Sequence, residues 1–97
     1  VRTSAVNTSF LASDQTVVID STAATRDCAL PAANTVTAGY VARVVKLVAA
    51  NSVTVTPAGL NTILGVGGPF DYSTYFGAGT QPSVDFCSDG VSNWFLV

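Results

Sequence analysis

The stretch Tyr40–Val48, YVARVVKLV, decides between two folds for this chain. Val41, Val44, Val45 and Val48 fall at the i, i+3, i+4, i+7 spacing of one helix face, with Arg43 and Lys46 opposite. Against a helix stand the short length, Gly39 at its start, the β-branched content and the lack of a capping residue. Read as a strand, the stretch places Arg43 and Lys46 on opposite faces unless a bulge resets the register, so at least one charge lies near a covered face. The strand is the better match, and the neighbouring sequence agrees with it.

Downstream, Ser52–Pro57 (SVTVTP) alternates cleanly, with Val53 and Val55 on one face and Ser52, Thr54 and Thr56 on the other. Glu and Met are absent and Lys occurs once, which removes most strong helix formers, while Val and Thr recur throughout. Further β-rich segments are Ala5–Leu11, Thr16–Asp20, Arg26–Leu30, Ser83–Cys87 and Asn93–Val97. Between the segments stand Ser13-Asp14, Pro31, Ala38-Gly39, Asn51, Pro57-Ala58-Gly59 and Asp89-Gly90, all suited to turns. Strands of this length and spacing predict an all-β fold, a small antiparallel β-sandwich or barrel-like domain.

The 97 residues suit one domain, 1–97, with no charged or Pro-rich linker to divide it. Charged residues make up only 10% of the chain, against roughly 25% in ordinary domains. A small domain has much surface for its volume, so this one is expected to cover itself with Ser, Thr, Asn, Ala and Gly and to hide part against another subunit. The net charge of −2 comes without a basic stripe, which argues against nucleic acid as a partner. No apolar run reaches the roughly 18–20 residues that span a bilayer, so membrane insertion is not expected, and no basic segment followed by an apolar one marks a signal peptide. Without any Met, Val1 is not a natural start, and the chain is expected to belong to a longer one.

Cys28 and Cys87 permit one disulfide at most and do not form C-x-x-C, so neither zinc nor a dithiol switch is indicated. Two buried free thiols are expected rather than a bridge. The chain closes on Ser88–Val97 (SDGVSNWFLV), whose last four residues, Trp94, Phe95, Leu96 and Val97, are apolar although termini usually fray. With the two cysteines, these four are expected in the core or in a subunit interface, Trp94 as core rather than as a sugar platform.

With no His there is no Ser-His or Cys-His pair and no ordinary general base. Asp14, Asp20 and Asp89 sit at strand ends or turns, where Asp commonly bonds local backbone, which leaves Asp27, Asp71 and Asp85 as loose candidates for a carboxylate pair. No D-x-D-x-D cluster suggests a metal, and no helix pattern follows Gly65-x-Gly67-Gly68 to make it a phosphate cradle. Asn7-Thr8-Ser9 fits the glycosylation pattern, as such tripeptides often do by chance. The expectation is a chain without enzymatic activity, cofactor or metal.

Taken in order, QTVVID, CALPAA, AGYVARVVK, SVTVTPAGLNTILG and SVDFCSDGVSNWFLV resemble the β-rich C-terminal domains of bacteriophage tail spikes and tail fibres over nearly the whole chain. The features that carry the resemblance are the Ser13-Asp14-Gln15 turn, Leu30-Pro31-Ala32-Ala33, Thr56-Pro57-Ala58-Gly59 before Thr62-Ile63, and the closing Ser88 to Trp94 with one extra residue in its turn. The resemblance implies a homotrimer at the receptor-facing end of the tail, a virion protein made in the bacterial cytoplasm, with no catalytic residues in this module. A bacterial surface polysaccharide is the ligand such a tip would meet. Two other roles stay open: an independent carbohydrate-binding module of a secreted bacterial enzyme, and a virion structural or decoration protein.

Between Gly65 and Pro82 the sequence departs from that pattern, where the family more often has a short polar strand. Four of the eight Phe and Tyr residues, Phe70, Tyr72, Tyr75 and Phe76, are concentrated there. One expectation is an irregular strand with its aromatics packed inward or against a neighbouring subunit. The sharper one is a glycan-facing loop flanked by Gly65, Gly67, Gly68, Gly77 and Gly79. On it Tyr72 and Tyr75 stack on sugar, Asp71 and Ser73 supply polar contacts, and Phe70 and Phe76 anchor the loop inward.

Overall fold

In the computed structural model, which describes residues 1–11, 14–76 and 83–97, the deciding stretch is a strand. It runs over Val41–Lys46, with Ala42, Val44 and Lys46 buried and Arg43 exposed. The covered charge is Lys46, 4% exposed. Its ammonium donates to the carbonyls of Val48 and Ala49 at 2.8 and 3.1 Å, which supplies the polar partners that a buried cation requires.

The elements in chain order are β1 (Arg2–Ser4), β2 (Thr8–Ser9), β3 (Thr16–Ile19), β4 (Arg26–Ala29), a 3₁₀ turn (Ala33–Thr35), β5 (Val41–Lys46) and β6 (Val53–Thr56). Then follow β7 (Thr62–Ile63), β8 (Phe70–Asp71), a short helix α1 (Tyr72–Phe76), β9 (Ser83–Ser88) and β10 (Asn93–Leu96). They form two sheets, one ordered β1-β3-β5-β9-β10-β7 and the other β2-β4-β6-β8. The first six strands alternate between the sheets, so the chain makes three laps and each lap lays its strands parallel to those of the lap before. The offset from Val17 to its partner Val44 in one sheet equals that from Cys28 to its partner Val55 in the other.

The antiparallel expectation is corrected here: among the described strands β1/β3/β5, β2/β4/β6 and β10/β7 are parallel, and β5/β9, β9/β10 and β6/β8 are antiparallel. Parallel pairing needs a long crossover, and here the other sheet's strand serves as that crossover. The segment expected as one strand over Ala5–Leu11 is mostly crossing, with only Thr8–Ser9 paired, while Arg2–Ser4 pairs beside β3. The turn residue Ser13 lies outside the described residues.

Both sheets turn their apolar faces to one core. Val17, Ile19, Val44, Phe86 and Trp94 enter from the six-stranded sheet, and Cys28, Val53, Val55 and Phe70 from the four-stranded one. The first lap closes this core with polar groups. Arg2 stands beside Val17 in register and so faces inward. Its guanidinium meets Asp14 Oδ2 at 2.8 Å, Thr8 Oγ1 at 2.9 Å and the Ser9 carbonyl at 2.8 Å. Hydrogen bonds from Arg2 and from the Leu11 N–H hold the Asp14 carboxyl below the usual carboxylate range. Charges turned inward at a sheet edge also discourage a further strand from adding there.

Candidate functional site

Two surfaces compete for function: the aromatic turn expected from the sequence, and the outer face of the six-stranded sheet that carries the C-terminal residues. The aromatic turn begins at β8, whose Phe70 is buried and meets Phe86 of the opposite sheet edge-on at 5.4 Å between ring centres. Asp71 then starts the helix: its Oδ1 accepts from the Ser73 N–H at 2.8 Å and from the Ser52 hydroxyl at 2.7 Å. One helical turn puts Tyr72, Tyr75 and Phe76 on a common side, around Phe70.

Phe70 inward and Tyr75 outward are as expected, while Tyr72 and Phe76 exchange roles. Tyr72 is 2% exposed, and its hydroxyl donates to the Val44 carbonyl of the opposite sheet at 2.7 Å, so its ring is no surface platform. Burial pushes its phenol well above the ordinary range. Phe76, expected as an inward anchor, is 43% exposed. Phe, lacking a polar handle, is the residue expected inward, but a buried phenol costs little when a carbonyl waits within hydrogen-bond distance. Tyr75 stays at the surface, 52% exposed and stacked on Phe70 at 4.2 Å, with exposed Ser73 and half-buried Asp71 on the same turn. The remainder of the expected loop, residues 77–82 with Gly77 and Gly79, lies outside the described residues.

At the C-terminus the four apolar residues divide. Trp94 is fully buried, between Ser88 of β9 and Ile63 of β7 in register, with Tyr40 edge-on at 6.4 Å. Phe95 and Val97 point the other way, 46% and 74% exposed, and Leu96 is half-buried. This follows from strand alternation, which cannot bury consecutive side chains on one face.

Register then builds the outer face of the six-stranded sheet. Val41, Cys87 and Phe95 form one row across β5, β9 and β10. Thr16, Arg43 and Asp85 form the next, extended by Val97, whose N–H donates to the Asp85 carbonyl. Val18, Val45 and Ser83 form a third. In the middle row Arg43 grips Asp85 side-on, Nε to Oδ1 at 2.7 Å and Nη2 to Oδ2 at 3.0 Å, and so holds the carboxyl below its ordinary range. Shallow hollows flank this pair. One of about 380 Å³ is lined by Gln15, Thr16, Val41, Arg43 and Asp85, and one of about 310 Å³ by Phe76, Ser83, Val84, Asp85, Leu96 and Val97.

The outer face of the four-stranded sheet is polar instead. Asp27 Oδ1 accepts from the Thr54 and Thr56 hydroxyls at 2.7 Å each, and Asp71 stands on the far side of Thr54 in register. The three carboxylates left open as catalytic candidates are therefore not one group: Asp27 and Asp71 share this face, while Asp85 is on the other sheet, bound to Arg43. Among the described residues no three His, Cys, Asp or Glu side chains come together as a metal site. Both cysteines are free thiols. Cys28 is fully buried, its thiol pushed up to about 12 by burial, whereas Cys87 is only half-buried, in the outer row between Val41 and Phe95.

Among the described residues no helix is long and apolar enough to cross a membrane. Comparison of the chain with family models, with curated proteins and with solved structures finds no match.

Proposed function

We propose that this chain is a non-enzymatic assembly module that forms a homotrimer at the distal end of a bacteriophage tail spike or fibre, part of the virion after synthesis in the bacterial cytoplasm. The observation that carries the proposal is the uneven exposure of the two sheets: Phe95, Val97 and half-buried Val41, Val45 and Cys87 meet solvent on one face, and Asp27, Thr54, Thr56 and Asp71 occupy the other. Apolar rows exposed on either side of the self-paired Arg43 and Asp85, on a charge-poor domain, favour burial against another subunit. The strands of the first three laps, stacked parallel in two ladders, also suit a module that continues a fibre.

Mass in solution tests it. A trimer by light scattering, with melting that shifts to lower temperature on dilution, is the expected result. A monomeric mass from micromolar to about millimolar concentration, with melting indifferent to dilution, overturns it.

Tyr75 favours a second, compatible role in contact with bacterial surface glycan, because an exposed ring held flat on Phe70 is a ready stacking platform. Binding of the parent to a glycan array, lost in Tyr75→Ala with the fold retained, is the outcome expected for this role. A monomer that binds glycan equally well instead favours an appended carbohydrate-binding module, and an oligomer without glycan binding favours a virion decoration protein.

A further inference from the structure

Resting on the self-association proposed above, we infer that the surface buried between copies is the outer face of the six-stranded sheet, with the row Val41, Cys87 and Phe95 turned toward the same face of neighbouring copies. Three such faces closed around an axis make a prism whose interior is this row.

The alternatives within the molecule are poorer. Copies meeting through the four-stranded sheet would bring together Asp27 and Asp71 of each chain, carboxylates bonded among the described residues to hydroxyls and not to a cation, whereas Asp85 on the six-stranded face is neutralised by Arg43. Pairing edge to edge is unpromising, since β2, β7 and β8 have two residues each and β1 has three, with Arg2 and Asp14 turned inward beside it.

Charge explains why the occupant is another copy. On the apolar face the exposed cation Arg43 and the anion Asp85 are bonded to each other, so the rows present no net charge. Like can meet like without repulsion, and an acidic or basic partner gains nothing there. Neighbouring strands lie about 4.8 Å apart and each residue extends about 3.3 Å, so β3 and β10 with four residues each and β5 and β9 with six present roughly 320 Å² of flat footprint, its apolar rows on either side of the Arg43–Asp85 pair. That is below the about 800 Å² per partner of a standard interface, so association of the isolated chain depends on concentration.

Cys87 lies within the row and reports on it without any substitution, while Cys28, fully buried, serves as the control. Labelling of the native protein with a thiol reagent is followed against protein concentration, beside light scattering of the parent, of Phe95→Arg and of Ser9→Arg on the opposite sheet. The expected result is an oligomeric parent whose Cys87 labels about tenfold more slowly once nine-tenths of the chains are assembled, by mass action. Phe95→Arg, at an exposed position, becomes monomeric with unchanged circular dichroism and concentration-independent labelling, and Ser9→Arg behaves like the parent. An oligomeric parent with Cys87 labelling independent of concentration, or a Phe95→Arg variant that assembles normally, overturns the choice of face and leaves self-association standing. A parent that is monomeric at every concentration overturns both.

Discussion

Replacing Tyr72 separates a structural tyrosine from a ligand-facing one. The ring is 2% exposed, meets Phe70 and Phe76 edge-on, each at 5.8 Å, and reaches across the core to the Val44 carbonyl. A buried aromatic side chain removes about 150–250 Å² from water, worth roughly 4–6 kcal/mol at about 25 cal/mol per Å², an upper bound because the denatured chain already buries part of it. Tyr72→Ala should therefore cost about 3–5 kcal/mol. Since 1 kcal/mol moves the Tm of a domain this size by about 4–8 °C, the melt should fall by about 12 °C or more. Tyr72→Phe keeps the ring and removes only the donor to Val44, for about 0.5–1.5 kcal/mol. Tyr75→Ala, at a half-exposed ring, should cost about 1 kcal/mol or less, mostly the lost stack on Phe70. Alkaline titration adds an independent check. Well below its ordinary value of about 10 the phenol is protonated in both folded and unfolded chains and contributes no pH dependence. Above that the unfolded chain releases the proton while burial keeps the folded phenol neutral, so stability falls with rising pH until the folded phenol also ionises. Tyr72→Phe should remove that part of the alkaline slope. Circular dichroism melts and urea titrations of the three variants are sufficient. A Tyr72→Ala protein that melts within a few degrees of the parent, or a Tyr75→Ala protein that loses more than Tyr72→Ala, would refute the assignment.

The two ends of the last strand should behave differently. Trp94→Ala, at a fully buried site, should cost about 3–5 kcal/mol, while Val97→Ser, at a site 74% exposed, should leave the melt of the diluted protein unchanged; equal effects would contradict the alternation of β10. At the opposite end of the fold, Arg2 and the Leu11 N–H depress the Asp14 pKa, so the stabilisation by Asp14 is complete above about pH 4 and is lost as pH falls through the depressed folded value. Asp14→Asn should lower stability at neutral pH and flatten this part of the acid limb, and an acid unfolding curve that parallels the parent's throughout would show that the Arg2 contact contributes nothing.

The sequence by itself determined the β character of the chain and the two faces of its central strands. Alternation is a local property, so Val53 and Val55 could be placed together on one side and Arg43 and Lys46 on opposite sides from spacing alone. Trp94 could be assigned to the core for a similar reason, being a large apolar residue within a strand. Alternation also bore against a wholly buried terminus, since Phe95 has to face away from Trp94. What only the tertiary structure decided is which strand lies beside which. Parallel and antiparallel ladders share one side-chain period, so the laps that set Val17 beside Val44 and Cys28 beside Val55 leave no mark on the local pattern. The same holds for single side chains whose partners are remote in sequence. Tyr72 turns inward because the Val44 carbonyl lies within reach, and Arg2 and Asp14 close the first lap because the fold brings them together. Local spacing sets the face a residue takes, but whether a buried hydroxyl or carboxylate such as those of Tyr72 and Asp14 meets its partner is a property of three dimensions.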